Sequence, residues 1–238
     1  MDLELKPKAR CICGCDNARR SEVLGSLIVA GIVIPKSDLN WLYEKGVRDS
    51  KILSKSKINN LGKFLKEKYE TTVFRISAKE INNNNINKLE AKCVLRIVEK
   101  YYNKVIKFYI DAIGARTDLI YRYEGKFNDY SDKIIIEPKA DSKFIATMAA
   151  SIIAKYHSNA ETAYLKDKYN CGSGTCSDPQ TLKYILNNLD NKKEIIRINW
   201  ITYTRLKNNP ILCKKLKKLI ESGYSLQKLK KLYQNEKI

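Results

Sequence analysis

CDNARRSEVLGSLIVAGIVI, residues 15–34, decides how the rest of the chain is read. Its second half, Leu27 to Ile34, is a continuous apolar run, the pattern of a central strand buried on both faces. Its first half is polar and charged, and it follows a short apolar start in which Cys11, Cys13 and Cys15 alternate as residues on one face of a strand do. Residues 11–34 therefore read as two strands joined by a turn at 16–22. Asp16 stands where the first strand gives way to the turn, a position suited to holding a metal ion. Asn17 beside it is neutral where a second carboxylate would be useful. The alternating thiols lack obvious partner ligands for a zinc site, and the single histidine, His157, lies far away in sequence.

Working outward, residues 38–45 and 55–69 have helical spacing, with Leu61, Phe64, Leu65 and Lys68 recurring along the second. Thr71 to Ile76 is a strand rich in β-branched residues. Residues 77–87, with NNNN at 82–85, read as a polar break. An amphipathic helix follows over 88–104, then strands at Lys107–Asp111 and Lys133–Glu137. Residues 141–169 read as one long helix whose Ala146, Ala149, Ala150, Ser151 and Ala154 permit close packing, and 180–190 as another. Strands alternate with helices, which predicts an α/β fold with a mixed sheet, because the first two strands follow each other closely. Residues 1–206 are expected to form the main domain and 207–238 a basic helical extension; from 210 onward it carries eight lysines against Glu221 and Glu236.

The chain has 238 residues, 44% of them apolar, enough for a packed core. Its 45 Lys and Arg against 26 Asp and Glu leave a formal charge of +19. That balance favours a polyanionic partner, with nucleic acid the commonest; a genome that spends Lys and Asn freely is the competing explanation. No run reaches the ~18 apolar residues of a membrane span. MDLELKPKAR has no apolar signal core, so a soluble, cytoplasmic protein with reduced thiols is expected.

Asp16 and Asp111 sit at strand ends, and Asp141 stands where the chain passes from KIIIEPKA into a helix. Brought together, three such acids could hold two divalent ions and support phosphodiester cleavage. Helix capping and surface placement explain isolated aspartates equally well.

Six segments, in order, then resemble the type 2 ribonucleases H, the ribonuclease HII family, especially its archaeal branch. They are GCDNARRSEVLGS at 14–26, VRDSKIL at 47–53, YIDA at 109–112, KADSKFIATMAASIIAK at 139–155, GSGTCSDP at 172–179, and Trp200 with Thr202. The resemblance implies a ribonuclease H-like mixed sheet flanked by helices. It implies endonucleolytic cleavage of RNA in RNA–DNA hybrids or at a ribonucleotide embedded in duplex DNA, with Mg²⁺ or Mn²⁺. Asp16, Asp111 and Asp141 match three of the family's metal-binding acids, and Asn17 occupies the fourth position, a Glu in the family. Arg19, Arg20, Ser21, Lys51, Ser151, Lys155, Thr175 and Ser177 fall at positions implied to contact nucleic acid.

The departures cluster. Asn17 cannot offset a cation's charge, so weakened binding of a second metal and attenuated cleavage are expected. Arg19 and Ser21 replace two glycines of the family's G-R-G turn, adding bulk where backbone meets the 2′-hydroxyl; Arg19 could instead contact a phosphate. Thr175 replaces a tyrosine that stacks on the sugar. A catalytically inactive paralogue that binds hybrid or duplex is the alternative reading. Leu226, Leu229, Leu232 and Tyr233 have the spacing of a sliding-clamp-binding box, although an amphipathic basic helix accounts for the same residues.

Overall fold

The computed structural model describes residues 10–114, 116–118, 125–191 and 193–223. The clamp-box positions Leu226 to Tyr233 lie outside them. The chain divides into two compact units. The first takes in residues up to Ala18, Ile28–Arg75 and Asn85–Asn159; the second takes in Arg19–Leu27, Ile76–Asn84 and Ala160 onward.

The sheet has five strands: β1 (Cys11–Ala18), β2 (Leu27–Pro35), β3 (Thr71–Ile76), β4 (Val105–Asp111) and β5 (Ile134–Glu137). Their order is β3-β2-β1-β4-β5. β1 pairs antiparallel with β2 and parallel with β4, and β4 runs parallel to β5. β1 and β2 are interior strands, and β2, buried along almost its whole length, reads as an unbroken apolar run. The first strand extends beyond its expected end: Asp16 pairs with Ala30, Asn17 with Val29 and Ala18 with Ile28. The turn is thus residues 19–26, and Asp16 and Asn17 belong to the strand itself.

The first unit's core lies between β2 and helices α2 (Lys55–Lys68) and α6 (Ile145–Tyr169). Ile28, Ala30, Ile32 and Ile34 meet Leu65, Ala149, Ala150, Ile153 and Ala154 there, all buried. Small residues let α6 approach the sheet closely. A Cβ placed on Gly14 of β1 would lie 2.0 Å from the Ala146 carbonyl oxygen, so only glycine fits. α4 (Ile86–Tyr101) supplies Ile97 against Gly31 of β2. The short α1 (Leu39–Glu44) is tied down where Tyr69 donates to Asp38 at 2.7 Å.

The expected long helix at 141–169 is broken. Ala140–Lys143 forms a single turn, α5, and Phe144 is extended (φ −113°, ψ 124°) before α6 begins. Residues 77–87 are not merely a break: Ala78–Asn83 forms α3. Ser77 and Glu80 make a reciprocal capping box, and the S-x-x-E pattern was present in the sequence to signal it.

The second unit is built from α3, α7 (Pro179–Asn187), α8 (Ile201–Asn208), α9 (Pro210–Glu221), the end of α6 and the 19–27 segment. Val23, Leu24, Leu165, Leu182, Ile185, Ile196, Leu206, Leu212 and Leu216 form its core. Asn82 of α3 joins it through both ends of its amide, donating to Ile196 O and accepting from Ile198 N, each at 2.8 Å. All seven cysteines are free thiols. Among the described residues no helix is long and apolar enough to cross a membrane.

Candidate metal and nucleic-acid site

Three aspartates from three segments of the first unit converge. β1 and β4 run parallel with Cys15 opposite Ile110, which sets Asp16 beside Asp111, the last residue of β4. Residues side by side in parallel strands share a face. Asp141 joins them from the first turn of α5 and is 4% exposed; Asp16 is 8% exposed. The Asp16 carboxyl is pushed up to about 8, first by burial, then by Asp111 and Asp141, against a Ser151 hydroxyl and the Asn17 N–H that favour its charged form. Asp111 is raised too, by burial first and next by Asp141. Carboxylates gathered in this way repel one another, and a counter-cation is the remedy.

The hydrogen bonds around the trio are partial. Lys51 donates to one Asp141 oxygen at 2.7 Å, and that bond is the main reason the lysine is held above its ordinary value. The other Asp141 oxygen is buried without a hydrogen-bond partner. Asp111 accepts the Ala140 N–H at 2.8 Å, and Ser151 meets Ser50 at 2.7 Å. Among the described residues no group of three or more His, Cys, Asp or Glu stands already gathered around a metal position. The donor set nevertheless fits a hard divalent ion: all carboxylate oxygen, with one buried oxygen unclaimed. Lys155 is half-buried on α6, one turn beyond Ser151.

Asn17 takes a different direction. Its Nδ2 donates to Glu90 of α4 at 2.8 Å, and Glu90 is 2% exposed. Successive strand residues point to opposite faces, so Asp16 turns toward Ser151 of α6 and Asn17 toward α4. The structure therefore brings Asp16, Asp111 and Asp141 near one another but pairs Asn17 elsewhere.

In the second unit, Arg19 is not displayed as a surface phosphate contact. It is 4% exposed, and its guanidinium donates to Leu24 O at 2.7 Å and to the Thr162 hydroxyl at 2.5 Å. Its φ is 66°, so the backbone keeps a conformation that suits glycine while the side chain turns inward. A Cβ on Gly174 (φ 90°) would come within 2.7 Å of this guanidinium. Val23 N–H donates to Gly174 O at 2.9 Å, which ties the turn to the GSGTCSDP loop. Ser21 is exposed, and its carbonyl accepts from Trp200 Nε1 at 3.3 Å. Arg20 is half-buried, and its carbonyl accepts from Arg197 at 3.1 Å. Thr175 and Ser177 meet at 3.3 Å, with Ser177 exposed.

Glu90 and Arg197 are the residues that sequence reasoning missed. Both carried a signal. Glu90 interrupts the buried stripe Glu90, Val94, Ile97, Tyr101 on α4, and Arg197, fully buried, interrupts the run Ile195-Ile196-Arg197-Ile198. A charge at a core position requires partners, and looking for them would have singled out both.

A mixed sheet in the order β3-β2-β1-β4-β5, with acids on β1 and β4 and a third on the helix after β5, is a ribonuclease H-like fold. Comparison narrows this. The family model described as Ribonuclease HII matches residues 13–203. The ribonuclease HII of Methanobrevibacter smithii is 32% identical over 209 residues, 83% of this chain and 99% of that protein. The ribonuclease H2 structure from Pyrococcus horikoshii OT3 matches with a TM-score of 0.69 at 29% identity, covering 87% of this chain and 99% of that one. A PCNA:RNase HII complex from Archaeoglobus fulgidus matches with a TM-score of 0.69 at 28% identity, covering 79% and 94%. The chain belongs to the ribonuclease HII family.

Proposed function

We propose that this protein is a divalent-metal-dependent endonuclease that hydrolyses the RNA strand of RNA–DNA hybrids, with attenuated activity. The observation that carries the reading is the trio Asp16, Asp111 and Asp141, of which Asp16 and Asp141 are buried, with one Asp141 oxygen unclaimed. Mg²⁺ or Mn²⁺ bound there would supply Lewis acidity to the attacking water and the leaving oxygen. The chain's own residues set the stage. Asp16 is oriented by Ser151 and the Asn17 N–H, Asp111 by the Ala140 N–H, and Asp141 by Lys51. Lys51 is largely exposed and carries a fixed positive charge beside the acids, where a phosphate oxygen can meet it.

Attenuation follows from residue 17. With a metal bound, the trio would offer three carboxylates, and Asn17 adds none and faces Glu90. Loss of one preorganised charge contact costs roughly 10²–10³ in rate. Arg20, Ser21, Thr175 and Ser177 are proposed to face the nucleic acid, whereas Arg19 acts from within by holding the turn. A sliding clamp as a further partner draws on the Archaeoglobus PCNA:RNase HII complex and on the tail at Leu226–Tyr233.

The test incubates a labelled RNA–DNA hybrid with the protein in Mg²⁺ and in Mn²⁺, alongside Asp111→Asn. Slow cleavage that disappears in Asp111→Asn is expected. Absence of cleavage with either metal, with salt-dependent hybrid binding intact, would overturn the enzyme reading in favour of a hybrid-binding protein.

A further inference from the structure

We propose that Ser50 is a positioning residue for the metal centre: its hydroxyl donates to Ser151, and Ser151 is thereby aimed at Asp16. The inference rests on the function proposed above, because Asp16 matters there as a metal-binding acid.

Ser50 sits in a well-held turn. Ile52 N–H donates to Asp49 O at 3.1 Å, which closes residues 49–52 as a β-turn with Ser50 and Lys51 at its centre. The Asp49 side chain fixes the turn further by accepting the Lys51 N–H at 2.9 Å. The chain is anchored on either side: Val47 is fully buried, and Leu53 packs on the same core. The two central residues reach toward different acids. Lys51 donates to Asp141 at 2.7 Å. Ser50 turns inward, is 2% exposed, and has its Oγ 2.7 Å from Ser151 Oγ.

The packing of α6 on β1 brings Ser151 to Asp16. A Cβ on Gly14 of β1 would run into the backbone of Ala146 and Thr147. Asp16 lies two residues farther along the same face of β1, about 6.6 Å. Ser151 lies four residues beyond Thr147 on α6, about 6 Å. The Ser151 hydroxyl favours the charged form of Asp16, as a donor to a carboxylate does. A hydroxyl has one proton to give. With that proton directed at Asp16, Ser151 can meet Ser50 only as an acceptor, so Ser50 is the donor of the 2.7 Å pair. Without Ser50, the Ser151 hydroxyl has a local alternative, since a helical serine can turn to the carbonyl four residues back, here that of Thr147. Ser50 thus decides where the Ser151 proton points. Adjacent residues of one turn brace two of the three acids, Lys51 directly and Ser50 through Ser151.

Five proteins test this: the wild type, Ser50→Ala, Ser151→Ala, the double variant and Asp111→Asn. Each is melted in EDTA, and each is titrated with Mn²⁺, with free Mn²⁺ read by electron paramagnetic resonance. Ser50→Ala is expected to bind Mn²⁺ roughly 10-fold more weakly than the wild type, the scale on which partners of a metal ligand act. It should melt roughly 2–4 °C lower, as for one lost hydrogen bond in a chain of this size. Ser151→Ala should lose at least as much Mn²⁺ affinity. The double variant should bind no more weakly than Ser151→Ala, because Ser50 acts only through Ser151. Wild-type Mn²⁺ affinity in Ser50→Ala, whatever its melting temperature, would make Ser50 a merely structural residue and overturn the proposal. Losses of affinity that multiply in the double variant would do the same. If the wild type and Asp111→Asn take up Mn²⁺ alike, the metal-centre reading fails by itself. The EDTA melts then still decide the Ser50–Ser151 link: shifts that add in the double variant overturn it, and shifts that fall short of adding uphold it.

Discussion

At residue 19 two costs oppose each other. A non-glycine residue at φ 66° carries strain of about 1 kcal/mol. The guanidinium offsets it through hydrogen bonds to Leu24 O and Thr162. Bonds from a charged donor contribute about 1.5–3 kcal/mol each, so they outweigh the strain. Arg19→Gly, although it restores a residue suited to the backbone, is expected to lower stability by about 2–5 kcal/mol, measured by urea denaturation. Its Mn²⁺ affinity should be unchanged, because its guanidinium is engaged by Leu24 O and Thr162 and not by the aspartates. In sequence this side chain reads as added bulk at the turn, with a phosphate contact as the other possibility. The acceptors that draw it inward, above all Thr162, stand 143 positions along the chain and appear only in three dimensions.

At the scale of elements, two local devices make predictions. Asp178 caps α7, accepting from Gln180 N at 3.0 Å, and also accepts the Ser173 N–H. Burial pushes its pKa up, but the donors outweigh burial and hold it below the ordinary value of 3.8. A depressed carboxyl contributes stability that is full above the unfolded pKa and is lost as pH falls through the folded one. Asp178→Ala should therefore cost about 1–2 kcal/mol at pH 7, and the gap to the wild type should close as pH falls below the ordinary carboxyl value, as seen in denaturation curves across pH. The contact between β1 and α6 is stricter. Gly14→Ala would drive a methyl into the Ala146 carbonyl, a backbone atom that cannot swing aside, so a loss of about 3 kcal/mol or more is expected in thermal melts. Most elements were legible from periodicity, since β1, β2 and α4 have the burial their patterns require. The break at Phe144 and the helix α3 were not, because a long polar or small-residue run leaves hydrophobic spacing little to report.

For the whole molecule, charge and metal are the quantities to measure. With a formal +19, hybrid binding should weaken steeply with salt, by roughly 10³ or more between 50 and 200 mM if six or more phosphates are contacted, as read by fluorescence anisotropy. Mn²⁺ at about a hundred times its Kd should stabilise the fold by about 2.7 kcal/mol, an increment that Asp111→Asn removes. The sequence by itself determined the order of the strands, most of the helices and the family, and it marked the three aspartates as candidates, because hydrophobic period and ordered motifs are properties of the linear chain. Only the tertiary structure decided that Asn17 is bound to Glu90 and that Arg19 is buried under the GSGTCSDP loop. Those outcomes depend on which distant donor or acceptor meets a side chain once the backbone is folded. Hydrogen bonding in a desolvated interior turns on such meetings, and linear spacing does not encode them.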